Sequence, residues 1–388
     1  MRSLSDWPLD PDITYLNHGT VGVTPRRVLA VQQAIKDEME RAPSQFLLRE
    51  QSGLVGAPVD RPSRVRRAAS EIAAAVGARG GDLVFVDNAT TGVNAVLRSL
   101  ALEPGDELLL TEHNYGATLK TAQFVAREHQ AHVRIARVPY PRFDPSALVE
   151  SVARAITERT RIAVLDHITS ETALVFPLAE LAAVCRARGV PVLADGAHAP
   201  GALPIDLPAL GIDWYSANLH KWACSPRSCG FLWARPEWQA SLHPPVISWG
   251  LDQGFTAEFD WVGTRDVSAW LAAPAGFEFL SAIGRDNVWR HNHDLAWEGA
   301  QLLARRWGTT LGVRERDVAF MATIPMPSSL GSGPADAARV RDALLYDHHI
   351  EVQVHSGHGC LWARISAQVY NEMADVERLA GAIDTMRR

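Results

Sequence analysis

The sequence predicts an α/β protein: a large domain with a mainly parallel, mixed sheet sandwiched by helices, followed by a smaller α+β domain. Three observations carry this expectation. Short apolar runs, such as 190–194 before Asp195 and 214–219 before His220, are separated by stretches of helical spacing, the pattern of buried parallel strands and their crossover helices. With 388 residues, 47% of them apolar, the chain is too long for one small domain and suits a large one plus a smaller one. Toward the C-terminus the pattern changes: runs 350–354 and 361–365 alternate apolar with polar residues, as half-exposed antiparallel strands do. The loop 243–260 is crowded with Pro, Gly and aromatics, so the large domain is expected to end near Leu251, giving an arm at 1–21, a large domain at 22–251 and a small one at 252–388.

The arm ends in Tyr15-Leu16-Asn17-His18-Gly19-Thr20, a turn-rich segment ahead of a helix that Thr24 can cap, with Pro25 in its first turn and Val28, Val31 and Ile35 on one face. Residues 43–62 read as a polar loop. A helix over 62–76 and a strand over 83–86 lead to Asp87-Asn88-Ala89-Thr90-Thr91-Gly92, where a strand hands over to a helix through a hydroxyl-rich turn. Such a helix N-terminus suits an anion, although Thr and Asn also cap helices for structural reasons alone. A strand at 107–110 precedes Glu112-His113-Asn114-Tyr115-Gly116, and a strand at 161–166 precedes Ile168-Thr169-Ser170-Glu171. A helix over 178–188 then returns the chain to the run before Asp195. After a strand at 230–234, an apolar helical run at 268–283 suits either a core or an interface, and helices at 286–306 and 335–347 flank a strand near 318–324.

Charge and cysteine usage narrow the function classes. The net charge of −6 comes from 44 acids and 38 bases, interspersed along the chain, which speaks for neither a nucleic-acid nor a membrane partner. No apolar run approaches the ~20 residues of a membrane span, and the first dozen residues, with Trp7, Pro8 and three acids, are unlike a secretory signal. Four irregularly spaced cysteines read as reduced thiols of a cytoplasmic protein. The pairs His291/His293 and His348/His349 have no ligand set around them, so no metal site is expected.

The chemistry is expected at Asp195 and Lys221. Ligands of open α/β sheets lie outside the carboxyl ends of the strands, where both residues fall. Pyridoxal phosphate needs an amine for a Schiff base and a carboxylate to keep its ring nitrogen protonated, and Lys221 and Asp195 suit those roles. The plain alternative is an exposed Lys beside a strand-end Asp.

The words around the pair, Asp195-Gly196-Ala197-His198 and Asn218-Leu219-His220-Lys221-Trp222 with Pro226-Arg227, resemble the class V aminotransferase family, and within it the isopenicillin N epimerase-like branch. The resemblance runs from Asn17 to the C-terminus and implies a fold type I enzyme dependent on pyridoxal 5'-phosphate. It implies that Lys221 carries the cofactor and is the catalytic base. Thr90, Thr91, Asn218 and His220 would take the phosphate, Ser170 and His198 would lie near the ring hydroxyl, and His113 or Tyr115 would stack on the ring. Leu16-Asn17-His18-Gly19 resembles an arm that folds over the substrate, so Asn17 and His18 are candidates there, although a simple turn explains the same residues. Arg364, in Arg364-Ile365-Ser366-Ala367-Gln368-Val369-Tyr370-Asn371, resembles the arginine that grips the substrate carboxylate, a fit for its forked guanidinium. Gly263-Thr264-Arg265-Asp266 resembles a segment whose Thr reaches the cofactor phosphate of a partner subunit, which implies a homodimer. Glu171, Ala173 and Ser228 depart from the family pattern.

An amino acid is thus the expected substrate, attacked at its α-carbon. Epimerisation is the outcome the nearest-looking branch suggests, with C–S β-elimination as the alternative and transamination ranked lower. Desulfuration also ranks low, because Cys360, just before a strand, is expected to be buried. A cofactor-free scaffold is disfavoured by the joint presence of Lys221, Asp195, His198 and Arg364.

Overall fold

The computed structural model describes residues 4–51 and 62–387. Seven strands form the main sheet: β1 (Leu83–Val86), β2 (Glu107–Thr111), β3 (His132–Ala136), β4 (Thr160–Asp166), β5 (Val192–Asp195), β6 (Trp214–Asn218) and β7 (Gly230–Ala234). Their order across the sheet is β1-β7-β6-β5-β4-β2-β3. From β2 to β6 the neighbours run parallel, joined through helices that include Gly116–Glu128, Pro145–Ala155 and Leu178–Arg186. β7 alone runs antiparallel to its neighbours β6 and β1. It follows β6 without a crossover helix, so the chain turns straight back. The central strands β4 to β7 are buried on both faces, whereas the edge strand β3 is largely exposed. Val192 and Ala194 enter one apolar core and Leu193 the opposite one, as the two-residue period of a strand requires.

The second unit is a three-stranded antiparallel sheet of β8 (Met321–Pro325), β9 (Gln353–Gly357) and β10 (Cys360–Ser366), in the order β9-β10-β8. Helices Arg285–Trp307, Pro334–Tyr346 and Met373–Met386 share its core. Of the two half-exposed strands expected here, the run 350–354 alternates buried and part-exposed residues, whereas β10 needs correction, being buried from Leu361 to Ser366. Leu361, Ala363 and Ile365 face the helical core, while Trp362 meets Tyr140 of the large unit at 5.1 Å between ring centroids. The alternation is real, but its polar face is covered by the other unit. The N-terminal arm closes this seam: Thr14–Tyr15 pairs in parallel with Ile350–Glu351, and Asn17 bridges to Ser366.

Two further expectations differ. Part of the polar loop is a wide π-type helical stretch, Gln45–Gln51, pinned by buried Phe46 under the Arg64 guanidinium, and residues 52–61 lie outside the described residues. The run 268–283 is two helices, Ser268–Leu271 and Ala273–Ile283, which pack on helices Arg26–Arg41 and Arg64–Ala75. Among the described residues no helix is long and apolar enough to cross a membrane.

Candidate active site

The parallel strands β4, β5 and β6 end side by side, and a cavity of about 460 Å³ lies over those ends. Asp166, Asp195 and Asn218, the last residues of the three strands, line it together with Thr90 and Thr91 from the first turn of the helix after β1. Lys221 and His220 enter from the turn after β6, His198 from the turn after β5, and Ser170 from the loop after β4.

Lys221 is buried, and its Nζ lies 3.0 Å from His198 Nε2. Burial and the nearby Arg364 cation push its ammonium down to about 7, although Asp195 opposes the shift. Near neutral pH such an amine is partly free base, the form that attacks a carbonyl. His198 is held well below the usual imidazole range, chiefly by burial and next by the Lys221 charge, so it is neutral and its Nε2 accepts from Lys221. Its Nδ1 is buried with no hydrogen-bond partner.

Asp195 accepts from the Ala197 amide at 3.1 Å and from Thr118 Oγ1 at 3.0 Å. Its carboxyl is raised by burial, and these hydrogen bonds and the Lys221 charge oppose that. At the opposite wall, the helix Ala89–Arg98 begins with Asn88 as its cap, whose side chain accepts from the Thr91 amide at 3.0 Å. Asn218 Oδ1 accepts from the Ala89 amide at 2.8 Å, which ties β6 to that helix start. His220 donates from Nδ1 to the Cys229 carbonyl at 3.2 Å, and burial, then Lys221, lowers it to about 4.

Arg364 comes from β10 and is buried. One terminal nitrogen donates to the Ser170 carbonyl at 2.5 Å, and the other to Thr20 Oγ1 at 2.7 Å and to Asn17 Oδ1 at 3.4 Å. Its Nε is buried and unpartnered. Burial lowers even this guanidinium to about 10, with Glu171 opposing. A buried cation held by neutral oxygens calls for an anion.

The remaining candidates are distributed unevenly. Asn17 sits beside Arg364 and also donates to Glu351 at 2.8 Å. His18, expected on the substrate side, is instead fully buried behind the cavity. Its nitrogens meet the Tyr370 hydroxyl at 3.0 Å and the Lys221 carbonyl at 3.1 Å, and its ring lies 4.9 Å from that of Trp222. Tyr115 lines the cavity, whereas His113 turns toward Thr172 Oγ1, 2.9 Å away, and toward Tyr140 and His358. Thr264 is exposed and does not line this chain's cavity, but its neighbour Arg265 pairs with Asp87 beside the hydroxyl-rich turn. Cys360 is only half-buried, contrary to expectation, since β10 begins on an open hairpin at Gly357–Cys360. Sequence reasoning missed Thr20, Asn88, Thr118 and Asp166. Thr20 and Asn88 lie inside the recognised words, but Thr118 and Asp166 carry no local sign.

These residues fit pyridoxal phosphate. The cavity holds a buried lysine without an ion-pair partner among the described residues, a strand-end carboxylate with hydroxyl and amide donors, a helix N-terminus for a phosphate and an orphaned buried imidazole nitrogen. Among the described residues no group of three His, Cys, Asp or Glu is placed to hold a metal ion.

Comparison with known proteins agrees with the geometry. A family model described as aminotransferase class-V matches residues 48–379. The chain is 32% identical to a probable chloroplastic L-cysteine desulfhydrase of Arabidopsis thaliana over 98% of this chain and 84% of the relative. It is 30% identical to the isopenicillin N epimerase of Streptomyces clavuligerus over 99% of both chains. The solved apo structure of a cysteine desulfurase from Thermococcus onnurineus NA1 superposes with a TM-score of 0.78 at 20% identity, over 100% of this chain and 99% of that one, a likeness of fold. With the family model spanning both structural units and the cavity presenting its lysine, carboxylate and anion-binding helix end together, the chain belongs to the class-V aminotransferase family of pyridoxal-phosphate enzymes.

Proposed function

We propose that this enzyme works at the α-carbon of an amino acid or amino-acid derivative, with epimerisation as its outcome. The observation that carries the reading is Arg364: a buried guanidinium with a free Nε, joined through Ser170 and Thr20 to the wall of the cavity that holds Lys221. A substrate carboxylate supplies the missing anion, and a bidentate grip fixes the α-carbon against Lys221.

Pyridoxal phosphate, when bound, supplies an electron-withdrawing ring that makes the α-proton acidic. Thr90, Thr91, Asn218 and His220 would hold its phosphate, Asp195 its ring nitrogen, and His198 and Ser170 the side bearing its hydroxyl. Tyr115, which lines the cavity, would cover the ring face, with His113 behind it. Lys221 first anchors the cofactor and then, once freed, moves the α-proton as general base. Asn17 and Thr20 hold the Arg364 fork in plane.

C–S β-elimination is the second reading, favoured by the full-length similarity to a probable L-cysteine desulfhydrase. Both outcomes share proton removal by Lys221 and diverge after it. We also read the working unit as a homodimer, with Thr264 reaching the partner's site. Exposed Val246, Ile247 and Trp249, the last 75% exposed, offer an apolar surface between the large unit and that loop. The four free cysteines favour a reducing compartment, the cytoplasm.

Incubation of the holoenzyme with an amino-acid panel in heavy water separates the readings. Epimerisation gives deuterium at the α-carbon with inversion and no carbonyl product, whereas elimination releases sulfide, a 2-oxo acid and, by hydrolysis, ammonia. Lys221→Ala abolishes both. A holoenzyme that exchanges no α-proton from any member of the panel overturns the proposal.

A further inference from the structure

One buried titratable group of the cavity has no part in the chemistry above. Asp166 ends β4 as Asp195 ends β5, and the two are register partners across parallel strands. Both are buried, at 2% and 3% exposure, and both line the cavity. Two carboxylates so placed do not both ionise readily. The donors divide the charge between them. Asp195 accepts from Thr118 Oγ1 and the Ala197 amide and feels the Lys221 ammonium. Burial first, and then the Asp195 charge, raise the Asp166 carboxyl well above its ordinary range, although its own amide and that of Tyr115 oppose the shift.

Asp166 nevertheless has a mechanical task. Its Oδ2 accepts from Asn114 Nδ2 at 2.7 Å, and the Tyr115 amide also donates to it. Asn114 Oδ1 in turn accepts from the Thr111 amide at 2.6 Å, which closes the turn after β2 on itself. Tyr115 leaves that turn toward the cavity.

We propose that Asp166 is a positioning residue that works in its neutral form: it clamps the turn carrying Tyr115 through Asn114 and the Tyr115 amide, and it leaves the negative charge of the pair to Asp195. A neutral clamp fixes the stacking residue without a second charge beside the carboxylate that holds the ring nitrogen. The titratable groups facing the pair are Lys221 and Tyr215 from the β6 side, with His167 and His198 following Asp166 and Asp195 in the chain. This inference rests on the assignment of Asp195 and Tyr115 to the cofactor.

The test is pyridoxal phosphate affinity of the refolded or resolved full chain, with urea unfolding of the apoprotein across pH. Asp166→Asn copies a neutral acid in shape and retains a carbonyl acceptor. It is expected to bind the cofactor within about threefold of the parent, and to gain stability relative to the parent as pH rises above 4, because only the parent has a carboxyl at position 166, whose folded-state value is raised. Asp166→Ala and Asn114→Ala each remove the clamp and are expected to weaken cofactor binding by about tenfold or more. An Asp166→Asn chain as weak as Asp166→Ala overturns the neutral form, since a charged clamp is then required. Unchanged affinity in Asn114→Ala overturns the clamp, and this variant decides the matter if Asp166→Ala fails to fold. A parent chain that takes up no pyridoxal phosphate refutes the site itself, whereas a parent that binds it beside unchanged variants refutes the role of Asp166 alone.

Discussion

Lys221 Nζ and His198 Nε2 stand 3.0 Å apart in a cavity where neither has an ion-pair partner among the described residues, so the buried amine meets a neutral imidazole acceptor. Burial lowers the amine to about 7. An unfolded lysine holds its proton up to its ordinary 10.5, so between those two values the unfolded chain binds one proton more. Stability of the apoprotein therefore rises with pH from 7 upward, by about 5 kcal/mol at most if the whole shift is realised. Above pH 9 the buried thiols of Cys224 and Cys229, raised by burial, act in the opposite sense, so the clean window is pH 7–9. Urea unfolding of the apoprotein and of Lys221→Met checks this: the variant is expected to be the more stable at pH 7, and its advantage to shrink toward pH 9.

His18 gives a second pH test with the same sign. Burial lowers it to about 4, so its folded form stays neutral while an unfolded histidine takes up a proton below its ordinary 6.5. Its contribution is fully present above 6.5 and is lost as pH falls to 4. His18→Gln loses the contacts to Tyr370 and the Lys221 carbonyl and is expected to cost about 1–3 kcal/mol at pH 7. That cost should diminish steadily toward pH 4, because only in the parent does unfolding then take up a proton at residue 18. A cost that grows toward pH 4 contradicts the assignment.

The pairing of Asp195 with Lys221 was legible because each lies at the end of a short apolar run, where strand ends and cofactor sites coincide. Arg364 was legible from its word alone. What the sequence hides is whatever depends on contacts far along the chain. Thr118 reaches Asp195 across 77 residues, and Asn114 reaches Asp166 across 52, with no periodicity to announce either. The reversed direction of β7 is equally silent, since a strand buried on both faces reads the same both ways. His18 was misplaced for a related reason: a polar word suggests a wet site, yet Trp7, Trp222 and Tyr370 enclose this ring. The half-exposed reading of β10 failed because its polar face meets the other structural unit.

Arg364 and Thr20 separate grip from orientation. Arg364→Lys keeps the charge but not the fork, and Arg364→Ala leaves the substrate carboxylate unpaired. Both are expected to raise KM, the alanine variant lowering kcat/KM by about 30- to 1,000-fold, equivalent to 2–4 kcal/mol. Thr20→Val removes one hydrogen bond to the guanidinium, 2.7 Å long, and should cost about tenfold. Steady-state kinetics on the substrate found in the panel measures both. Equal losses in Thr20→Val and Arg364→Ala argue that the fork does not bear on the carboxylate.

Gly22 couples the N-terminal arm to the lysine. It has φ +68, and a Cβ there would lie 1.8 Å from the His220 carbonyl oxygen and 3.1 Å from Lys221 Cα. Gly189 makes a fair control, since its φ is +69 and no atom lies within 4 Å of a Cβ built on it. Gly189→Ala should therefore cost only the left-handed backbone strain, about 1 kcal/mol. Gly22→Ala adds a clash with backbone, worth a further 1–3 kcal/mol or more, and can be relieved only by moving the His220–Lys221 turn or the arm. Thermal unfolding and cofactor retention on gel filtration distinguish the two. The expected result is a mild loss of stability with full cofactor for Gly189→Ala, and a larger loss with depleted cofactor for Gly22→Ala. If Gly22→Ala retains its cofactor as the control does, the arm gives way and the lysine turn is the stiffer partner.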